Sequence, residues 1–169
     1  MNTMYYNRSK SDYLESLGGK KVELDDLLKN SDVVTVHIPL NEGTFHLINK
    51  ENIKLMKRDA VIINTARGAV LDTDSVIDAL DSRRIAGVAL DVIEGEEFSG
   101  REMEIIRKKE SYGVLKNVLE RSMLRNFENA ILTPHIAYDT EEALLRIVAS
   151  TCSNILKAYK GLDVSDVVA

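Results

Sequence analysis

The 169-residue chain is 44% hydrophobic and 29% charged, enough for one domain with a substantial core. No stretch is long and uncharged enough to span a bilayer, and no basic segment precedes an apolar one as in a signal peptide. The net charge of −5, without a Lys/Arg cluster, argues against a nucleic-acid or anionic-membrane partner. A single cysteine, Cys152, excludes an internal disulfide framework and fits a reducing, cytoplasmic setting.

In chain order, short β-branched runs alternate with amphipathic segments. The runs are Asp32 to Val36, Ala60 to Asn64, Ile85 to Leu90 and Asn129 to Thr133. Most are apolar on successive residues, which predicts strands covered on both faces. Leu24, Leu27 and Leu28 follow helical spacing, as do Val76, Ile77 and Leu80. This repetition predicts an α/β fold with a parallel sheet and helices on both sides. Residues about 101–126 read as a charged helical insertion that Gly113 divides in two. A last helix, about 140–160, is capped by Asp139 or Thr140, and its stripe from Leu144 to Tyr159 needs a partner surface. Cys152 lies in that stripe and is expected to be a small core residue.

In an open parallel sheet, ligands bind beyond the carboxyl ends of the strands. The first of the four runs leads into His37, Ile38 and Pro39, and the second into Thr65, Ala66 and Arg67. Asp91, with Glu94 and Glu96 behind it, follows the third, and Pro134 and His135 follow the fourth. Arg67 and Asp91 could form a structural ion pair, His135 could be an ordinary surface histidine, and Glu96 could be solvated. Taken together, the four polar rim positions point to a site. Metal binding lacks support, because His37, His46, His135 and Cys152 show no ligand spacing. No G-x-S-x-G elbow suggests a hydrolase.

Arg, Glu and His at one rim suit the reversible reduction of a 2-oxo acid. A guanidinium grips a carboxylate with two parallel hydrogen bonds. An imidazole can deliver a proton to the carbonyl oxygen, and a neighbouring carboxylate orients the ring. Asp91 could hold the carboxamide of a nicotinamide.

The strings Val36-His37-Ile38-Pro39-Leu40, Thr44, His46-Leu47-Ile48-Asn49, Met56-Lys57 and Ile63-Asn64-Thr65-Ala66-Arg67-Gly68 resemble the D-isomer-specific 2-hydroxyacid dehydrogenases. So do Val70-Leu71-Asp72, Gly87-Val88-Ala89-Leu90-Asp91-Val92 and Thr133-Pro134-His135, and the insertion is similar to the D-lactate dehydrogenase branch. The resemblance implies an NAD(P)-dependent oxidoreductase that interconverts a small 2-oxo acid and a D-2-hydroxy acid, such as pyruvate and D-lactate. Arg67 would then bind the substrate carboxylate, His135 would be the acid/base and Glu96 its partner, although Glu97 stands where the family has proline. Asp91 would meet the nicotinamide, and Ile38, Pro39, Thr44, Thr65 and Ala66 would line the cofactor cleft. Asn7 falls where the family has an acidic ribose ligand. With Arg8 beside it, NADP as well as NAD becomes acceptable.

No G-x-G-x-x-G is present, and Gly18-Gly19 has the wrong spacing and setting. Because Met4-Tyr5-Tyr6-Asn7 matches the family's second strand, the whole chain, 1–169, reads as a partial nucleotide-binding domain. It is an incomplete Rossmann-type, doubly wound sheet lacking its first strand and first helix, with no substrate domain. The last helix is expected to pack on that domain. The isolated chain is expected to self-associate, as a dimer or larger homo-oligomer, or to rearrange locally, and to bind cofactor weakly. An inactive truncated product serving only as an assembly module is the alternative.

Overall fold

A polar, two-residue pairing comes first in the chain, ahead of the apolar strands. β1 (Met4–Tyr5) runs parallel to β2 (Lys20–Lys21), with Met4 opposite Lys20 and Tyr5 opposite Lys21. Helix α1 (Asp12–Ser16) joins them, its N-terminus capped by the Ser11 hydroxyl, which accepts from Leu14 N. Gly18, at φ 84°, ends the helix, and Gly19 N donates to the Leu14 carbonyl at 2.9 Å. The glycine pair is therefore a helix terminus of the left-handed kind.

The computed structural model describes residues 1–96 and 112–164. It comprises two units, Met1–Pro134 and His135–Ala169. In the first unit, α2 (Leu24–Asn30) leads to a four-stranded parallel sheet in sequential order: β3 (Val33–Val36), β4 (Val61–Asn64), β5 (Gly87–Leu90) and β6 (Ala130–Leu132). Single turns of 3₁₀ helix at Ile53–Leu55 and Gly68–Val70 flank β4 in the chain. Helix α3 (Thr73–Asp81) precedes β5, and α4 (Tyr112–Leu124) precedes β6. Among the described residues no ladder joins β1–β2 to the larger sheet, so β1 and β3 each pair along one edge only.

The core lies against one face of the larger sheet. Val34, Val36, Ile62, Val88 and Leu90 are at most 6% exposed, and Leu28 of α2, Val76 and Leu80 of α3 and Leu124 of α4 join them in one cluster. The expectation of strands covered on both faces holds for β5 and fails at the margins. Val33 and Ile131 are 56% and 66% exposed, and Thr35 is exposed as well. Thr35, Ile63, Ala89 and Ile131 share one row across the sheet. Strand alternation turns that row away from the core, and among the described residues no helix of the first unit covers its ends.

Gly113 lies in the first turn of α4; the part of the insertion before it, 101–111, lies outside the described residues, and the expected division at Gly113 lies there with it. In the second unit, α5 (Glu141–Tyr159) is capped by Thr140, whose hydroxyl accepts from Ala143 N at 3.2 Å. Its stripe is exposed, and Cys152 with it, contrary to the core position expected for that residue.

Candidate active site at the carboxyl ends of the strands

Parallel register brings the four strand ends to one level. Val36 is opposite Asn64, Asn64 opposite Leu90, and Leu90 opposite Leu132. The ladder runs one step further, with Asp91 N donating to Asn64 O at 2.9 Å and Thr133 N to Leu90 O at 3.0 Å. His37, Thr65, Asp91 and Thr133 therefore leave the sheet side by side.

Asn64 shapes the loop that carries Arg67. Fully buried, it donates from Nδ2 to Arg67 O and accepts from Ala66 N through Oδ1, both at 3.0 Å. These two bonds close a tight turn and leave the Arg67 side chain exposed, its Nη1 donating to Ala66 O at 2.6 Å. Sequence reasoning placed Asn64 at a strand end and missed this positioning role. The signal was there, since a buried amide closing an apolar strand needs partners on both its donor and acceptor sides.

Gly68 sets the distance between this loop and the next. A Cβ there would lie 2.5 Å from the Ile93 carbonyl oxygen and closer still to Ile93 C and Glu94 N. The Arg67–Gly68 step is thus in backbone contact with the loop that runs from Asp91 to Glu96. In that loop Asp91 is 5% exposed and accepts a hydrogen bond from the Thr133 hydroxyl. Glu96 is half-buried and its Oε2 accepts from Ile93 N at 3.3 Å.

Glu94 and Glu96 have different partners. Glu94 Oε2 lies 3.0 Å from His46 Nε2. His46 adopts φ 48°, rings with Phe45 at a centroid distance of 3.9 Å, and donates its backbone N–H to Ala69 O at 2.8 Å. It thereby ties the 39–46 loop to both the Arg67 and the Glu96 segments. The sequence, read for metal spacing, gave no hint of this pairing across 48 positions.

Of the cleft residues, Ile38 is half-buried against the core and Pro39 is exposed beyond β3. The Thr44 hydroxyl donates to Pro39 O at 2.7 Å and accepts from Asn41 N at 2.8 Å, so it braces its own loop. His37 pairs locally with Thr35, Oγ1 to Nε2 at 2.8 Å. Thr65 is exposed and Ala66 half-buried. Asn7 and Arg8 are exposed beyond β1, with Asn7 Oδ1 accepting from Arg8 N at 2.8 Å and Lys21 Nζ donating to Arg8 O at 3.3 Å. His135 opens the second unit, three positions past the end of β6, in the left-handed region at φ 56°, with the Tyr138 ring edge-on at 6.5 Å.

These groups fit a nicotinamide nucleotide by their chemistry. A buried carboxylate, Asp91, suits the N–H donors of a carboxamide, and Ile38 and Ala66 offer partly exposed apolar surface to a planar ring. Among the described residues no cluster of three metal-ligating side chains occurs, and no helix is long and apolar enough to cross a membrane.

Residues 1–137 match the family model described as D-isomer specific 2-hydroxyacid dehydrogenase, NAD binding domain. The chain belongs to this family. A D-specific alpha-keto acid dehydrogenase of Enterococcus faecalis is 43% identical over 142 residues, 84% of this chain and 42% of that protein. A glyoxylate reductase of Thermococcus litoralis is 35% identical over 162 residues, 95% of this chain and 43% of the relative. Among solved structures, the D-lactate dehydrogenase of Aquifex aeolicus complexed with NAD and lactic acid is similar with a TM-score of 0.82. That match has 37% identity and covers 95% of this chain and 47% of the other. The chain thus spans about half the length of the curated relatives it matches, 49% of a 2-hydroxyacid dehydrogenase homolog of Haemophilus influenzae.

Proposed function

We propose that this chain supplies the nucleotide-binding half of an NAD(P)-dependent dehydrogenase that interconverts a small 2-oxo acid and a D-2-hydroxy acid. The observation that carries the reading is the backbone contact of Gly68 with Ile93 and Glu94, which sets the Arg67 loop against the Glu96 loop at the sheet's carboxyl rim. Arg67, exposed on a turn held by buried Asn64, pairs through its fork with the substrate carboxylate. His135 gives a proton to the carbonyl oxygen during reduction and takes it back during oxidation, and Glu96 orients the ring. Asp91 accepts from the nicotinamide carboxamide, while Ile38, Pro39, Thr44, Thr65 and Ala66 bound the cleft. A bound nicotinamide supplies hydride transfer at the substrate's C2.

The cofactor reading extends to NADP. Asn7 brings no carboxylate to the end of β1, and Arg8 lies there with Lys21 bonded to its carbonyl. Two cations and an amide suit a 2′-phosphate as well as a free ribose hydroxyl. Exposed Leu145, Ile155 and Leu156 on α5 support assembly with a second copy or with a substrate domain. A lone thiol is consistent with a cytoplasmic setting.

The test mixes the chain with the separately produced remainder of a full-length relative. NADH or NADPH oxidation is then followed with pyruvate, 2-oxoisocaproate or glyoxylate. Turnover that depends on the mixture, and that Arg67→Ala or His135→Ala abolishes, is the expected outcome. Full turnover in either variant removes these roles. No turnover in any mixture, with cofactor binding intact, favours an inactive assembly module.

A further inference from the structure

Outside the rim, α3 and α4 meet through a group of charges that the proposed reaction does not use. We infer that Glu120 is a proton-operated tie between α4 and α3, and that its state sets how firmly α4 seats against the loop carrying Glu94 and Glu96.

Glu120 is 6% exposed, on the side of α4 that packs against α3. Facing it is Asp74, in the first turn of α3. Lys116, one turn earlier on α4, serves both carboxylates: its Nζ bonds Asp74 Oδ2 and lies 3.2 Å from Glu120 Oε1. That Glu120 oxygen has no aligned hydrogen bond among the described residues. Arg121 Nη1, next in sequence, is likewise buried without a partner and leaves the carboxylate unserved. Behind Asp74 stands His46, close enough to act on it electrostatically and itself paired with Glu94 at 3.0 Å. Among the described residues, one ammonium therefore balances one of two adjoining carboxylates.

Burying the Glu120 carboxylate beside the exposed Asp74 carboxylate, with one cation shared between them, is unfavourable unless one acid keeps its proton. A protonated Glu120 resolves this, because its O–H can donate to Asp74 while Lys116 neutralises the charge that remains. Burial, with the Asp74 carboxylate adding to it, pushes Glu120 up to about 7. Asp74 moves the other way, held down by its hydrogen bond with Glu120 and then by Lys116. The two acids behave as one site for one proton.

The link to the rim is steric. A Cβ on Gly95 would come within 2.7 Å of both Cβ and Nδ2 of Asn117, so α4 presses on the loop one residue from Lys116. Losing the Glu120 proton places two like charges across the α3–α4 contact, and the same helix cannot lift from α3 without easing off Gly95.

The inference is independent of the dehydrogenase reading and is tested on the intact chain by NMR. The Glu120 side-chain carboxyl carbon and the Gly95 and Asn117 amides are followed between pH 5 and 9. Shared midpoints near 7 are expected. In Glu120→Gln the two amides should hold their low-pH positions throughout; this variant keeps the His46 ring, so it separates the two protons. In Asp74→Asn the Glu120 midpoint should fall toward the ordinary carboxylate range, which keeps the test open if the Gln variant does not fold. A Glu120 that titrates as an ordinary carboxylate in the parent overturns the inference. So do Gly95 and Asn117 amides that keep their pH course in Glu120→Gln.

Discussion

Replacing Gly68 with alanine puts one methyl group where the structure has none to spare. The new carbon would meet Ile93 C, Ile93 O and Glu94 N, all main-chain atoms, with the oxygen at 2.5 Å. No side-chain rotation relieves such an overlap, so one loop must move. Overpacking in tight interiors typically costs about 1–3 kcal/mol. Rigid backbone on the receiving side puts this case at the upper end, about 3 kcal/mol. At roughly 2–4 °C per kcal/mol for a chain of this size, Tm should fall by about 6–12 °C. Gly43→Ala is the control, since its Cβ would meet only Asn41 Oδ1, at 3.4 Å, and should change Tm by less than about 3 °C. Thermal unfolding by circular dichroism reads both. A Gly68→Ala melt within a degree or two of the parent would refute the close approach of the two loops, and with it the placement of Arg67 beside the Glu96 segment.

Asn64→Ala should destabilise by about 2–4 kcal/mol in urea titration, because it orphans Ala66 N, strips Arg67 O of one of its two donors and opens a small cavity; an effect below about 1 kcal/mol would deny its role in the turn. Glu120 makes stability depend on pH in a defined sense. Its folded value, about 7, lies above the ordinary 4.5, so its contribution is complete below about 4.5 and is lost as pH rises to about 7. Asp74, held down, contributes in the opposite sense, with stability present above 3.8 and lost at more acid pH. Glu120→Gln should therefore flatten the loss between pH 5 and 7 in chemical unfolding, and an unchanged slope would count against it. Changing Leu145 and Ile155 of α5 to glutamate, both now 62% exposed, should shift any self-association toward monomer by light scattering. An unaltered mass distribution would remove α5 from the contact.

Much of the architecture could be read along the chain because its causes are local. β-branched runs gave β3 to β6 within two residues of their ends, and helical spacing gave α2, α3 and α5. Thr140, one of the two cap residues the sequence offered, marks where α5 begins. The strings around Arg67, Asp91 and His135 carried the family, since they sit where parallel strands end and where such a sheet exposes its backbone.

Other features depended on which segments meet, and spacing alone is silent on that. Thr35 and Ile131 looked like buried strand residues, but among the described residues no helix of the first unit reaches their side of the sheet. Cys152 sat in an apolar stripe that a partner surface was needed to bury. Gly68 was one small residue in a motif until the Ile93 backbone came to lie against it. Glu94 paired with His46, and Glu120 with Asp74, across 48 and 46 positions respectively. Periodicity reports how a segment faces water, a property of neighbouring residues. Charge pairing, desolvation and close backbone approach belong to pairs of distant segments, and only the folded chain decides which distant segments become neighbours.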